Sequence, residues 1–219
     1  MRMFRVLRNG PICGTLAHQA QALTYALGPV AVADRSIDVM SIFEPRAHVF
    51  VDESKTKGYF IAAAAVAPEN VTTIDRGLRK LTRRGQSRMH FKSESDSSRR
   101  KLLARMSEMD VRVQLYVVRG YSDKDARVMC LQALVSDLAE AGVTRLLIER
   151  DASIMAADRR IIRASLVDND YVDQLHYQHV APVDHSVLWV SDAVAWCHQA
   201  GGEWIKRADP IVGGIRKLG

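Results

Sequence analysis

Carboxylates at the ends of apolar segments are the residues of this sequence whose types and spacing could do chemistry. One apolar stretch runs into Asp52 and Glu53, and a second runs into Glu149 and Asp151. Asp192 interrupts a third apolar stretch, which has helical character. Carboxylate oxygens are the ligands that Mg²⁺ and Mn²⁺ prefer in proteins. Three separated acidic positions on one domain therefore predict a metal site.

Strand periodicity limits which of these acids can act together. Successive residues of a strand point to opposite faces, so only one of Asp52 and Glu53 can point at a given site. Glu149 and Asp151 share a face if the strand persists that far. Asp192 lies among apolar neighbours, where an ionised acid needs a partner or a metal. Ordinary structural alternatives remain open, namely a strand-end turn for Asp52, a surface ion pair for Glu149 and a helix cap for Asp192.

The elements that must position these acids follow from hydrophobic periodicity and turn signals. They predict strands over 47–54, 59–67, 111–118, 144–149 and 175–180. They predict helices over 71–83, 97–109, 157–166 and 187–199, and a long helix from Asp123 that Gly142 stops. The short link between the first two strands indicates a hairpin, and the helical crossovers favour parallel pairing later. The expected fold is an α/β fold with a five-stranded mixed sheet flanked by helices.

Length and composition fit one domain with an appendage. The 219 residues are 47% hydrophobic, which is enough for a sizeable core. We predict an N-terminal appendage over 1–44 and a single domain over 45–219. Three widely spaced cysteines without a Cys-x-x-Cys pair favour a reducing, cytoplasmic setting. The sequence contains no apolar run long enough for a membrane span and no phosphate-binding P-loop motif.

The N-terminal appendage lacks the periodic pattern of the rest. It begins with a basic stretch, but polar residues and Gly28 break the apolar segment that a signal peptide needs, so we expect none. Met40 lies just ahead of the first predicted strand. We therefore interpret residues 1–39 as a segment that need not belong to the native product, a hypothesis that the intact mass of the natively expressed protein tests.

Basic residues concentrate in one segment. Between Arg76 and Arg105 there are eleven Lys or Arg and two acids. This local excess is larger than the net charge of the whole chain, +6, so the remainder is slightly acidic. Such a patch beside a metal site would hold a phosphate backbone without reading its sequence, although most charge runs only keep a helix soluble. The predicted substrate clamp comprises Arg79, Arg83, Arg84, Arg88 and Lys92.

The order of elements and acids resembles that of ribonuclease H-like proteins and, more narrowly, of the domain of unknown function 3800 family, which is frequent in bacterial and phage genomes. The resemblance covers about 47–204 and leaves the appendage outside. The matching segments, in order, are Phe50-Val-Asp-Glu-Ser54, Gly58-Tyr-Phe60, His90-Phe-Lys92 with Glu94, Leu147-Ile-Glu-Arg150 and Leu188-Trp-Val-Ser-Asp-Ala-Val-Ala-Trp196.

The resemblance implies a ribonuclease H-like fold and a nuclease that uses Mg²⁺ or Mn²⁺ on DNA or RNA. It ranks Asp52, Glu149 and Asp192 as metal ligands and catalytic residues, with Glu53 and Asp151 in second rank. It also implies accessory roles for His90 as a proton shuttle, Lys92 as a phosphate clamp and Glu94 as a fourth acid. By spacing alone, this segment is instead typical of a solvated polar loop that enters a helix. In this fold divalent ions activate water and stabilise the leaving oxygen.

Two other functions stay open at this point. The chain could be a catalytically silent nucleic-acid-binding module of the same fold, within a mobile-element or phage-defence system. A carboxylate-pair hydrolase such as a glycosidase is a third hypothesis. The basic patch and an aromatic content of only 6% speak against a sugar cleft. Protein partners and oligomeric state are left open.

Overall fold

A computed structural model describes residues 42–219, and that range contains six strands and six α-helices. Three short 3₁₀ turns, at Pro68–Asn70, Phe91–Ser93 and Asp209–Ile211, join some of them. The elements are β1 His48–Ser54, β2 Tyr59–Val66, α1 Val71–Arg79, α2 Asp96–Met106, β3 Arg112–Val118, α3 Asp123–Glu140, β4 Arg145–Glu149, α4 Met155–Asp168, β5 His176–Val180, α5 Leu188–Ala200, α6 Glu203–Ala208 and β6 Val212–Leu218.

All strands belong to one mixed sheet with the order β5-β4-β1-β2-β3-β6. The first three strands pair antiparallel, whereas β4 joins β1 and β5 joins β4 in parallel. The predicted α/β fold, with an antiparallel opening and later parallel strands, is confirmed. The predicted count of five strands is wrong, because β6 adds a sixth strand parallel to β3.

The sixth strand escaped prediction because its sequence is atypical of a strand. It contains Gly213 and Gly214, and glycine is depleted in strands. At both glycines a neighbouring side chain approaches so closely that it would have to shift to admit a Cβ. A Cβ on Gly214 would lie 2.5 Å from the Gln114 side-chain oxygen, and one on Gly213 would lie 2.7 Å from Ile42. Pairing with β3, and not local propensity, therefore makes this segment a strand.

Two apolar cores flank the sheet, and the alternation of strand residues divides them. Phe50 and Leu147 point into the core beneath α1, α2 and α5. Val51 and Ile148 point into the core beneath α3 and α4. β2 lies between β1 and β3 and is buried along its whole length. Neighbouring residues at the end of β1 are consequently delivered to opposite sides of the sheet.

Helix boundaries differ from the predicted ones by a few residues. α1 ends at Arg79 and not at residue 83, because the Thr82 hydroxyl donates to the Arg79 carbonyl and closes the last turn at 2.8 Å. α2 starts at Asp96, since the Ser95 side chain accepts the Ser98 N–H as an N-cap. None of the helices within 42–219 is long and apolar enough to cross a membrane.

Most of the predicted appendage, and the whole of 1–39 with Met40, lies outside the described residues. Three residues that the prediction assigned to the appendage, Ile42, Phe43 and Glu44, are described. Phe43 is buried in the core beneath α3 and α4, and Ile42 packs against the same core. Packing of the domain therefore begins no later than residue 42.

Candidate active site

Two of the predicted acids meet on one face of the sheet. β1 and β4 are parallel neighbours with Val51 opposite Ile148. Asp52 and Glu149 follow these residues directly, so the pleat turns both toward α5. Each is half-buried. Parallel pairing in this register is what places one carboxylate beside the other.

The third acid arrives on α5. The Ser191 hydroxyl donates to the Phe50 carbonyl at 2.9 Å and thereby ties this helix to β1. Asp192 is the next residue of α5, and its charge acts on both Asp52 and Glu149. Asp192 thus lies within electrostatic reach of Asp52 and Glu149, the other two acids that the sequence ranked as metal ligands.

The pair of acids is electrostatically unbalanced. Burial raises the pKa of Asp52 well above its usual value, and the charges of Glu149 and Asp192 raise it further. Burial also raises the pKa of Glu149. The neighbouring Glu149 carboxyl also raises the pKa of Asp52, while the Asp52 carboxyl lowers the pKa of Glu149, as expected for two acids that can share one proton. Arg88, with Nη1 3.6 Å from Glu149 Oε1, counteracts the shift. This pair therefore needs a proton or a cation.

Asp192 has a second, structural role. Its Oδ2 accepts the Phe91 N–H at 3.0 Å and lies 3.4 Å from His90 Nδ1. Both contacts use Oδ2, so Oδ1 accepts no hydrogen bond from the part of the chain that the structure describes. The helix-cap interpretation is wrong, because Asp192 lies within α5, whose N-cap is Val187. Its Oδ2 instead holds the segment at Phe91, and Oδ1 is left for the ligand interpretation.

The donor set suits a hard cation only in part. Within 42–219, no three His, Cys, Asp or Glu side chains are arranged so that they could hold a metal ion. Two carboxylates close enough to share a proton do suit Mg²⁺ or Mn²⁺, which keep several waters and need few protein ligands. Asp52 and Glu149 fit that requirement, and Asp192 would be a third ligand.

Glu53 lies on the other side of the sheet, in a buried ion network. It pairs with Arg127 and accepts the Tyr59 hydroxyl at 2.7 Å, while Lys55 Nζ lies 2.5 Å away. Arg127 also donates to both oxygens of Asp158, at 2.6 and 2.7 Å. The alternation along the strand predicted that Glu53 and Asp52 face opposite sides of the sheet, and the structure agrees.

The sequence analysis did not predict the buried part of this network. Arg127 is 7% exposed and Asp158 1%, and His179 Nε2 lies 2.9 Å from Asp158 Oδ2. One signal was available, because Arg127 precedes Leu131 and Leu134 by four and seven residues on the apolar stripe of α3. An arginine in that position must find a buried acid. Nothing in the sequence singles out Asp158 as that acid.

Two further predicted acids do not join the site. Asp151 lies beyond the end of β4, is exposed, and accepts both the N–H and the hydroxyl of Ser153. Glu94 is buried and bound by Arg83 Nη2 at 2.5 Å and by the Ser98 hydroxyl at 2.7 Å. These contacts lower the pKa of Glu94 although burial opposes them. Glu94 therefore fixes the segment between α1 and α2.

The predicted clamp residues divide into bound and free cations. Arg79 donates to the Asp75 carboxylate and to two backbone carbonyls of the loop after β5. Arg83 and Arg88 face Glu94 and Glu149. Within 42–219, the side chains of Arg84 and Lys92 are exposed and make neither a hydrogen bond nor an ion pair.

The segment that carries His90 and Lys92 is held rigidly. Phe91 is fully buried and packs edge-on against Trp196, with 5.4 Å between ring centroids. Arg99 stacks 4.1 Å above the Trp196 ring and donates to the carbonyls of Phe91 and Lys92 at 3.1 and 2.6 Å. His90 is exposed, so its ring lies beside Asp192 and is open to solvent.

Comparisons with known proteins give weak likenesses only. No family model matches the chain, and no curated protein matches it either. A crystal structure of Bst-RNase HIII in complex with Mn²⁺ is 16% identical, with a TM-score of 0.45, 74% of this chain covered and 55% of that one. RNase HII in its PCNA complex from Archaeoglobus fulgidus is 12% identical, with a TM-score of 0.46 and 74% of each chain covered.

A mutant of Bst-RNase HIII is 16% identical, with a TM-score of 0.44, 87% of this chain covered and 60% of that one. This chain thus spans little more than half the length of the first of these proteins. Likenesses of this strength do not assign an activity. Membership of the domain of unknown function 3800 family stays a prediction.

Proposed function

We propose that the protein is a divalent-metal-dependent nuclease of the ribonuclease H-like class that cleaves phosphodiester bonds in DNA or RNA. One observation carries the proposal: the parallel register of β1 and β4 places Asp52 beside Glu149, where burial and the nearby charge of Asp192 raise the pKa of both carboxyl groups. The order of strands and acids is the one that the family resemblance implies.

Each residue of the site has a proposed role. Asp52 and Glu149 would hold Mg²⁺ or Mn²⁺, and Asp192 would contribute Oδ1. When bound, such an ion activates water and stabilises the leaving oxygen. His90 is exposed beside Asp192 and would exchange a proton with the solvent side of the site. Arg88 lies against Glu149 and would offset the acidic charge while no cation is present.

The test compares metal binding and cleavage in matched variants. Asp52→Asn should abolish cleavage of single-stranded DNA and RNA and weaken Mn²⁺ binding measured by calorimetry. Asp173→Asn is the control, because Asp173 is an exposed acid in the loop before β5. Cleavage that survives in Asp52→Asn or in excess chelator would refute the proposal.

A catalytically silent nucleic-acid-binding module is the second candidate. It is favoured by the contacts of Asp192, which already serve Phe91 and His90, and by the lack of a three-ligand metal set within 42–219. This candidate predicts salt-sensitive binding without turnover. It also predicts that Mn²⁺ leaves the melting temperature unchanged, whereas a metal enzyme gains stability from its ion.

A further inference from the structure

Three adjoining clefts form one groove across the carboxyl ends of β1, β4 and β5. The central cleft, of about 370 Å³, opens at the strand ends and is lined from both faces of the sheet, by Asp52 and Glu149 and by Glu53 and Arg127. Glu53 joins it to a second cleft of about 450 Å³, which Lys57 and Lys92 line. Arg150 joins it to a third cleft of about 560 Å³, at the β5 edge. Asp52 and Glu149 thus lie in the middle of the groove, and Asp192 lies in the second cleft with the two lysines. Cations line the groove toward either end.

The lysine end of the groove is held in place by its backbone. Gln199 is buried in α5; its side-chain oxygen accepts the Lys57 N–H at 2.6 Å and its amide donates to the Gly58 carbonyl at 3.0 Å. Arg99 holds the Lys92 carbonyl. Both lysine side chains are exposed and unpaired within the described range. Their ammonium groups are therefore available to an anion at a fixed point.

The arginine end is equally anchored and carries uncommitted charge. The Arg150 N–H donates to the Val180 carbonyl at 2.9 Å, which joins the end of β4 to that of β5. The Arg150 side chain makes one long contact, 3.5 Å to the His179 carbonyl. Arg159, on α4, lines the third cleft beside Tyr177 and has no hydrogen bond or ion pair within 42–219.

This distribution changes the expected path of the substrate. Three of the five predicted clamp residues, Arg79, Arg83 and Arg88, are committed to protein acceptors. A guanidinium that is paired with a protein carboxylate must give up that ion pair to bind a phosphate. An unpaired cation binds a phosphate without breaking an existing contact. Phosphate contacts should therefore form at the uncommitted cations that line the groove.

We propose that a nucleic-acid strand lies along this groove, with phosphates on Lys57 and Lys92 at one end and on Arg150 and Arg159 at the other. An internal phosphodiester then faces Asp52 and Glu149, and the strand continues past both ends. The placement of that bond rests on the proposed function. The binding groove itself does not, because a silent module would use the same cations.

Binding is tested without catalysis, in excess chelator. Fluorescence anisotropy of labelled single-stranded DNA and of labelled single-stranded RNA gives the association constant over a series of salt concentrations. Each lost phosphate contact reduces the slope of log K against log salt by about 0.7 for single strands. Lys57→Ala, Lys92→Ala, Arg150→Ala and Arg159→Ala should each show this reduction. The two probes report which nucleic acid is preferred.

Two cations offer matched controls. Arg163 lies on the same helix as Arg159, and Lys101 lies on α2; both are exposed and outside the groove. Arg163→Ala and Lys101→Ala should leave the slope unchanged. The proposal would be overturned if Arg163→Ala reduced the slope as much as Arg159→Ala does. It would also be overturned if Arg150→Ala and Arg159→Ala both left the slope unchanged.

Circular single strands test passage through both ends. A circular oligonucleotide should bind as tightly as its linear form, since the groove needs no strand end. A strong preference for the linear form would refute the internal placement. If Asp52→Asn abolishes cleavage while the groove variants keep the wild-type slope, the groove is refuted and the nuclease proposal stands. If the slopes of the groove variants fall but the wild type cleaves no nucleic acid, the nuclease proposal is refuted and the groove stands.

Discussion

Replacing Asp158 by Asn should destabilise the protein strongly, because it breaks the network behind the end of β1. Asp158 is 1% exposed and accepts two hydrogen bonds from Arg127, at 2.6 and 2.7 Å. His179 makes a third contact at 2.9 Å. Asparagine keeps the shape of the side chain but loses its charge, so the Arg127 guanidinium stays buried with Glu53 alone to balance it.

The magnitude follows from burial. Removing one partner of a buried ion pair costs about 3–5 kcal/mol, because the other charge stays desolvated and uncompensated. For a domain of this size, 1 kcal/mol shifts the melting temperature by about 2–4 °C, so Asp158→Asn should lower it by roughly 6–20 °C. An exposed pair has a far smaller effect, about 0–1 kcal/mol.

Urea denaturation followed by tryptophan fluorescence measures the free energy of unfolding. Glu108→Gln is the control, because its pair with Arg105 is about 60% exposed on both sides. The double variant Arg127→Met/Asp158→Leu removes both charges and should recover most of the loss. A cost of less than about 1 kcal/mol for Asp158→Asn would refute the reasoning from burial.

Three further outcomes follow from the structure. Burial alone would raise the pKa of Asp158, but its bonds to Arg127 and His179 outweigh burial and lower it. A depressed folded-state pKa contributes stability above about pH 3.9, the unfolded value, which is lost as the pH falls toward the folded value. The urea midpoint of the wild type should therefore fall more steeply below about pH 5 than that of Asp158→Asn. Asp192→Asn keeps an acceptor for the Phe91 N–H, so its unfolding free energy should stay within about 0.5 kcal/mol of wild type, while Mn²⁺ affinity in calorimetry falls at least about tenfold. The Cβ of Gly214→Ala would lie 2.5 Å from the Gln114 side chain. This substitution should lower the free energy of unfolding by about 1–3 kcal/mol in the same denaturation assay. An unchanged midpoint would show that Gln114 moves freely.

The placement of Asp52 and Glu149 could be predicted because it depends on local rules. Alternation along a strand decides the face of each residue, and a helical crossover makes β4 parallel to β1. These rules predict both acids at one end of the sheet, and the register that pairs Val51 with Ile148 puts them on one face. Asp192 followed from its apolar neighbours on α5, which required a partner for an acid.

Long-range pairings could not be predicted in this way. Arg127 and Asp158 are 31 residues apart on two helices, and only the packing of α3 on α4 makes them partners. Glu94 was assigned to the acidic site with His90 and Lys92, yet it turns away to Arg83. Within a short polar segment no periodicity decides which side chain faces the site, so position in the motif is a poor guide to orientation.

Asp52 and Glu53 are neighbours in sequence, and the sheet gives them opposite electrostatic surroundings. Glu53 meets Arg127, Lys55 and the Tyr59 hydroxyl, so its charge is balanced within the protein. Asp52 meets two other acids, and its balance must come from a proton, from Arg88 or from a bound cation. A balanced network gains little from a ligand, whereas an unbalanced one gains free energy from any cation that replaces the proton. For that reason the Asp52 side of β1 is the side on which binding, and then chemistry, is expected.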